Sequence, residues 1–115
     1  MTTESDPIAW VMISGFARAL AAVADVTTKG ANKYTRDGWV SVPDGPTRYM
    51  DAFARHALKL GSGETIDQDT GCSHKAAMIW NLCASLELEL RANAPSWKTV
   101  FGAPDNANHR GIWPK

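Results

Sequence analysis

The chain lacks an excess of charge of either sign. Twelve Lys and Arg residues balance twelve Asp and Glu residues, so the formal net charge is zero. Proteins that bind nucleic acid generally show a strong basic excess, because much of their affinity comes from phosphate contacts. The balance therefore argues against general nucleic-acid binding, and any anion-binding site must be local.

Cysteine is scarce, and long apolar runs are missing. Cys72 and Cys83 are the two cysteines; on one helix they would lie about 16 Å apart, beyond disulfide reach. The first residues, MTTESDP, are acidic rather than basic, unlike a signal peptide. The apolar run after them is interrupted by Ser14, Arg18 and Asp25 and is too short and polar to span a bilayer. These features predict a cytoplasmic protein with reduced thiols and no membrane contact.

Several motifs of common enzymes are also missing. The sequence contains no phosphate-binding glycine loop, no GxGxxG, no Cys-x-x-Cys, no GxSxG and no HExxH. What remains is acid-rich, contains histidine and is locally basic. That composition suits phosphate chemistry aided by a divalent cation better than acyl transfer.

Apolar periodicity predicts an all-α fold with three main helices, over about residues 7–29, 47–60 and 72–92. Residues 1–93 then form one helical domain that carries the site. Residues 94–115 form an irregular tail, rich in Pro, Gly, Asn and aromatics, that docks on the bundle or on a neighbouring subunit. Three helices make a thin core for a chain with five Trp residues, so we expect a homo-oligomer, a dimer or larger, to complete the bundle.

The loop between the first two predicted helices is aromatic and basic. Lys33 and Tyr34 begin it, and Trp39 follows a turn at Asp37-Gly38. One interpretation is that Tyr34 and Trp39 plug the end of the bundle. The other is a nucleotide grip, in which Lys33 binds phosphate and an aromatic ring stacks on a base.

The second predicted helix has two chemically different faces. Tyr49, Phe53, His56 and Leu60 share an apolar stripe, so His56 should point inward. The opposite stripe is basic, with Arg48, Arg55 and Lys59. Asp51 precedes Arg55 by four residues, which is a favourable ion-pair spacing. A solvated face is the plainer interpretation of this basic stripe, and phosphate binding is the functional one.

An acidic loop, GSGETIDQDTG, joins the last two predicted helices. It is not an EF-hand, because Gly71 and Met78 occupy positions that need ligands. Asp69 or Thr70 is expected to cap the next helix, whereas Glu64 and Asp67 remain candidate metal ligands. On that next helix Ile79, Leu82, Cys83, Leu86 and Leu90 form an apolar seam. A neighbouring stripe with His74 and Asn81 should face a partner helix or a ligand cavity.

The segments KYTRDGW, RYMDAFARHALKLGSGETID and DTGCSHKAAMIWNL together resemble small phage proteins of the dATP/dGTP diphosphohydrolase N-terminal domain family, distantly similar to MazG-like all-α nucleotide pyrophosphohydrolases. The matching positions are Lys33, Tyr34, Trp39, Arg48, Asp51, Arg55, His56, Gly63, Glu64, Asp67, Gly71, His74 and Asn81. The resemblance implies an oligomeric, Mg²⁺-dependent enzyme that splits a purine dNTP into dNMP and pyrophosphate. The paired acids with which MazG-like enzymes hold magnesium are missing here.

Three hypotheses follow. In the first, an enzyme holds Mg²⁺ through Asp51, Glu64 and Asp67 and uses His56, His74 and Glu64 in catalysis. Its nucleotide-binding residues would be Lys33, Tyr34, Trp39, Arg48, Arg55 and Asn81. In the second, the same pocket sequesters a nucleotide immune signal without catalysis, as a phage counter-defence protein. In the third, the chain has a structural role and its polar residues only satisfy one another.

Overall fold

The computed structural model describes residues 9–33 and 37–93, with the side chains of residues 30–33 excepted. Its four α-helices are α1 (Ala9–Gly15), α2 (Ala17–Lys33), α3 (Gly45–Gly61) and α4 (His74–Asn93), and a 3-10 helix spans Gly38–Ser41. No β-strand occurs in these residues; Ile66 and Ser73 form an isolated bridge. The all-α prediction is confirmed.

The first predicted helix is divided in two. Phe16 separates α1 from α2, and α2 continues to Lys33, four residues beyond the predicted end at about residue 29. The chain divides into two compact units, one of Met1–Ala17 with Leu90–Lys115 and the other of Arg18–Glu89. The predicted tail, residues 94–115, lies outside the described residues.

Helices α3 and α4 run antiparallel. His56 lies beside His74 near the loop that joins the two helices. Farther along, the Tyr49 ring meets that of Trp80, and Ser85 donates a hydrogen bond to the carbonyl oxygen of Pro46. These pairs connect later residues of α4 with progressively earlier residues of α3, which defines a helical hairpin.

Small side chains permit a close approach between the two helices. Gly45, the first residue of α3, is buried, and a Cβ atom there would lie 2.6 Å from Cδ1 of Leu88. The buried side of α4 is likewise built from small or polar residues: His74, Ala76, Ala77, Asn81, Ala84 and Ser85.

The orientation of α4 differs from a simple hydrophobic reading of its sequence. Its predicted seam residues Ile79, Leu82, Cys83 and Leu86 are exposed, whereas the neighbouring stripe with His74 and Asn81 faces α3. Of the two surroundings expected for that stripe, a partner helix or a ligand cavity, His74 meets a partner helix at His56 of α3. The polar groups can be buried because they make hydrogen bonds, and their small neighbours allow the close approach.

Helix α2 adds two polar contacts to this hairpin. Trp80 donates its indole N–H to Thr27 over 2.8 Å, and Cys72 lies 3.5 Å from Asp25.

In the described part of the chain, no single helix is long and apolar enough to cross a membrane. The segments Ala9–Gly15 and Ala17–Lys29 pass that length and composition test only as a bent pair.

Candidate functional site

Two histidines meet where α3 approaches the start of α4. The Nδ1 atoms of His56 and His74 are 2.9 Å apart, and the rings are tilted by 49°. His74 is completely buried, whereas His56 is half-buried. The helical hairpin therefore joins residues that are 18 positions apart in the sequence.

Glu64 fixes the orientation of His74. Its Oε2 atom lies 2.6 Å from Nε2 of His74, while its own side chain retains 36% exposure. A carboxylate accepts this bond, so Nε2 carries the hydrogen and a neutral His74 presents the lone pair of Nδ1 to His56. Glu64 thus acts on the buried ring and remains accessible to solvent.

Asp67 is the second carboxylate of the site and is buried. Its Oδ1 atom accepts the backbone N–H of Asp69 over 3.0 Å, and Oδ2 accepts the hydroxyl of Thr70 over 3.2 Å. Burial alone raises the pKa of this carboxyl group, but those two hydrogen bonds and the nearby histidines outweigh burial and lower it. Asp67 is therefore ionised at neutral pH.

The loop before α4 is folded tightly enough to bring Asp67 beside the histidines. The Asp67 N–H bonds to the carbonyl of Cys72 over 2.8 Å, and the His74 N–H bonds to that of Thr65 over 3.0 Å. Gly71 takes a φ of 77°, a left-handed conformation that a side chain disfavours, and donates its N–H to the Asp67 carbonyl.

Capping of α4 differs from the expectation. Ser73, rather than Asp69 or Thr70, accepts a first-turn N–H, that of Ala76, over 3.2 Å. Thr70 instead accepts the N–H of Cys72 within the loop. The loop polar groups therefore position Asp67, and the residue directly before the helix caps it.

The surroundings of His56 lower the pKa of its imidazole. Burial is the largest cause; Asp67 opposes the shift, and repulsion from His74 when that ring is protonated, from Lys59 and from Arg55 adds to it. Lys59 and Arg55 are thus close enough to act on the ring and also to attract an anion there. Lys59 was predicted to lie on the basic stripe and was not among the candidate site residues. Its position three residues after His56 on the same helix could have placed it beside the His56 ring.

Three of these residues have a donor set suitable for a metal ion. One ligand atom each from His56, Asp67 and His74 lie within 4.8 Å of one another. Mg²⁺ prefers oxygen ligands, whereas two of these three donors are imidazole nitrogens. The group therefore does not fit a resident Mg²⁺, the ion that the family resemblance implied.

The other two predicted magnesium ligands are engaged elsewhere. Asp51 forms an ion pair with Arg55 on the exposed side of α3, as their spacing predicted. Glu64 bonds to His74 and is not one of the three clustered donors. Arg48 is also exposed on α3, seven residues from Arg55 and therefore about 10.5 Å from it along the helix.

Trp39 belongs to an aromatic cluster that the sequence did not fully identify. Its ring meets those of Tyr49 and Trp80 edge-on, with centroids 6.5 and 6.1 Å away, and Tyr49 donates its hydroxyl to the Trp39 carbonyl. This arrangement corresponds to the plug that we gave as one interpretation of Trp39. The Lys33 side chain and Tyr34 lie outside the described residues.

Asn81 occupies the same face of α4 as His74. It is buried, and its side-chain amide donates to the Ala77 carbonyl over 2.8 Å. A separation of seven residues places it about 10.5 Å along the helix from His74. Binding of nucleotide by Asn81 stays a prediction.

Cys72 lies at the edge of the site. Burial raises the pKa of its thiol and the neighbouring Asp25 adds to the shift, while Thr70 opposes it; a raised pKa disfavours the nucleophilic thiolate. Both cysteines are free, as expected.

Comparison with known families gives one match to this chain. A sequence model of the family described as dATP/dGTP diphosphohydrolase, N-terminal, matches residues 2–96. The chain belongs to this family, which confirms the resemblance seen in its motifs. No curated protein and no solved structure gives a match.

Proposed function

We propose that the chain hydrolyses a purine deoxynucleoside triphosphate to the monophosphate and pyrophosphate. The observation that carries this proposal is the cluster of His56, Glu64, Asp67 and His74, hereafter the His–acid cluster. It combines two imidazoles and two carboxylates beside the cations Lys59 and Arg55. The family description gives the substrate class.

The reaction requires a water molecule to attack the α-phosphorus. A new phosphorus–oxygen bond forms, the bond from that phosphorus to the α,β-bridging oxygen breaks, and pyrophosphate leaves with the electron pair. The water proton must be accepted by a nearby base. Glu64 suits that role because its carboxylate is partly exposed and is oriented by the buried His74.

The phosphates need positive charge as they approach this cluster. The positive charges of Lys59 and Arg55 lower the pKa of His56, so both cations act on the site electrostatically. Mg²⁺ enters with the substrate, chelated by the triphosphate oxygens, which are the ligands that it prefers. Arg48, Lys33, Tyr34, Trp39 and Asn81 are proposed to hold the rest of the nucleotide.

The test is to incubate the purified protein with dATP, dGTP, dCTP and dTTP separately and to quantify products by anion-exchange chromatography. We expect dAMP or dGMP with equimolar pyrophosphate, and slower reaction of the pyrimidines. Glu64→Gln should lower kcat by about 100-fold, the usual contribution of a general base. Glu89→Gln, a matched change at an exposed position of α4, should leave the rate unchanged.

Two results would contradict the proposal. One is tight binding of a nucleotide that is recovered unchanged, which favours the sequestration hypothesis. The other is a wild-type rate in Glu64→Gln, which would mean that the His–acid cluster takes no part in catalysis.

A second pair of variants tests phosphate binding by Lys59. Lys59→Met should raise KM more than it lowers kcat, whereas Lys29→Met should change neither.

A further inference from the structure

We propose that His56, Asp67 and His74 bind one first-row transition metal ion, with Zn²⁺, Co²⁺ and Mn²⁺ as candidate occupants. Glu64 is then a positioning residue that orients His74 from behind. This site differs in donor chemistry from the carboxylate-held magnesium site that the sequence suggested. It does not depend on nucleotide hydrolysis, because the metal ion can be tested without nucleotide.

The spacing of the two imidazoles fits a shared ion. Two nitrogens that bind one ion at about 2.1 Å lie about 3.0 Å apart at an octahedral right angle and about 3.4 Å apart at the tetrahedral angle usual for Zn²⁺, so a Zn²⁺ ion would require the rings to separate slightly. The Nδ1 atoms of His56 and His74 are 2.9 Å apart. Because the Asp67 donor lies within 4.8 Å of both, a small inward shift of its carboxylate completes a three-residue face.

The hydrogen bond to Glu64 selects the nitrogen through which His74 binds. With Nε2–H donated to that carboxylate, Nδ1 holds the lone pair that a metal ion requires. Metal-binding histidines commonly donate their second N–H to a carboxylate, which fixes the tautomer and strengthens the ligand. Without metal, His56 donates its Nδ1–H to His74; with metal, His56 carries that proton on Nε2.

Charge and burial also favour an ion at this position. The completely buried His74 and buried Asp67 converge with the half-buried His56. The carboxylates of Asp67 and Glu64 together balance a divalent charge. Two imidazoles and one carboxylate form the donor set typical of sites for zinc and other transition ions that retain open positions for water or substrate.

The experiment uses full-length protein freed of metal with EDTA, without nucleotide. Co²⁺ is titrated by visible absorption, and Zn²⁺ and Mg²⁺ are compared by calorimetry and thermal melting. We expect one Co²⁺ and one Zn²⁺ per chain, a rise in Tm with Zn²⁺, and Zn²⁺ affinity about 100-fold or more above that for Mg²⁺.

The variants separate ligands from the positioning residue. His56→Gln and Asp67→Asn should lower Zn²⁺ affinity by more than the roughly 10–100-fold that is typical when a residue that only orients a metal ligand is changed. Glu64→Gln should weaken binding by about 10-fold and change the Co²⁺ spectrum while retaining one site. Asp37→Asn and Glu89→Gln, which alter exposed acids elsewhere, should bind like the wild type.

The proposal is overturned if the wild-type protein shows no saturable one-equivalent binding. It is equally overturned if His56→Gln, with unchanged circular dichroism, binds Zn²⁺ as tightly as the wild type. Either result makes the two histidines a hydrogen-bonded core pair. Metal binding without dNTP hydrolysis would support this site and contradict only the proposed enzyme activity.

Discussion

Ser85 and Ser62 show at the residue scale how burial changes the value of one hydrogen bond. Each hydroxyl donates to a backbone carbonyl over 2.8 Å, Ser85 to Pro46 and Ser62 to Lys59. Ser85 is buried between α3 and α4, whereas Ser62 is exposed. The Ser85 bond also connects α4 with α3, so it helps to hold the hairpin that carries the His–acid cluster.

We predict that Ser85→Ala destabilises the protein by about 1 kcal/mol, because a buried interhelical hydrogen bond is lost. Ser62→Ala should change stability by less than about 0.5 kcal/mol, as is usual at exposed sites. Urea unfolding followed by circular dichroism measures both. Equal effects of the two changes would contradict the assigned burial of Ser85.

All four residues of the His–acid cluster were candidate site residues in the sequence, but the contacts between them could not be predicted. His56 lay on an apolar stripe, and capping did not explain Glu64 and Asp67. Which carboxylate contacts His74 depends on the fold of the loop, and particularly on the left-handed Gly71 and the backbone bond from His74 to Thr65. Local spacing carries no information about such contacts.

At the scale of elements, Gly45 at the start of α3 lies against the Leu88 side chain of α4. A Cβ atom there meets Leu88 at 2.6 Å, whereas a Cβ atom on Gly61, at the other end of α3, has no neighbour within 4 Å. The two glycines thus provide a matched comparison within one helix.

We predict that Gly45→Ala lowers the free energy of unfolding by about 1 kcal/mol, since Leu88 must move from a packed position. Gly61→Ala should be neutral or stabilising by up to about 1 kcal/mol, because alanine restricts the unfolded chain and favours helix. Chemical denaturation of both variants tests the pair. An unchanged free energy of unfolding in Gly45→Ala would contradict the prediction, because the added methyl group would then fit beside Leu88 without cost.

Hydrophobic periodicity predicted the helices, but it did not predict which face of α4 is buried against α3. That helix has both an apolar stripe and a stripe of small and polar residues, and each is compatible with a packing surface. Hydrogen bonds such as that of Ser85 decide in favour of the second stripe. The helix break at Phe16 was not predicted. Gly15 directly precedes it, but Phe16 itself is not a residue that usually ends a helix.

At the scale of the whole molecule, the exposed stripe of α4 bears on assembly. Within the described residues, the buried apolar side chains are those of Cys72 and three alanines, whereas Ile79, Leu82 and Leu86 are exposed. We propose that a second copy of the chain covers this stripe: two-fold symmetry would pair the stripe with itself, and a chain with zero net charge has no overall charge repulsion from its copy.

We therefore expect a homodimer in light scattering coupled to size exclusion. Leu82→Glu with Leu86→Lys should shift the protein to a monomer of 12.5 kDa, because charged side chains are costly in an apolar interface. Glu87→Lys with Arg91→Glu, at other exposed positions of α4, serves as the charge-balanced control. A monomeric wild-type protein at micromolar concentration would contradict the prediction.

The central claim is that this helical hairpin directs water to the α-phosphorus of a purine dNTP. Hydrolysis of dGTP in ¹⁸O-labelled water, followed by ³¹P NMR and mass spectrometry, tests it most directly. We expect one ¹⁸O atom in the phosphate of dGMP and unlabelled pyrophosphate. Label in pyrophosphate or inorganic phosphate, or dGTP recovered intact, would contradict it.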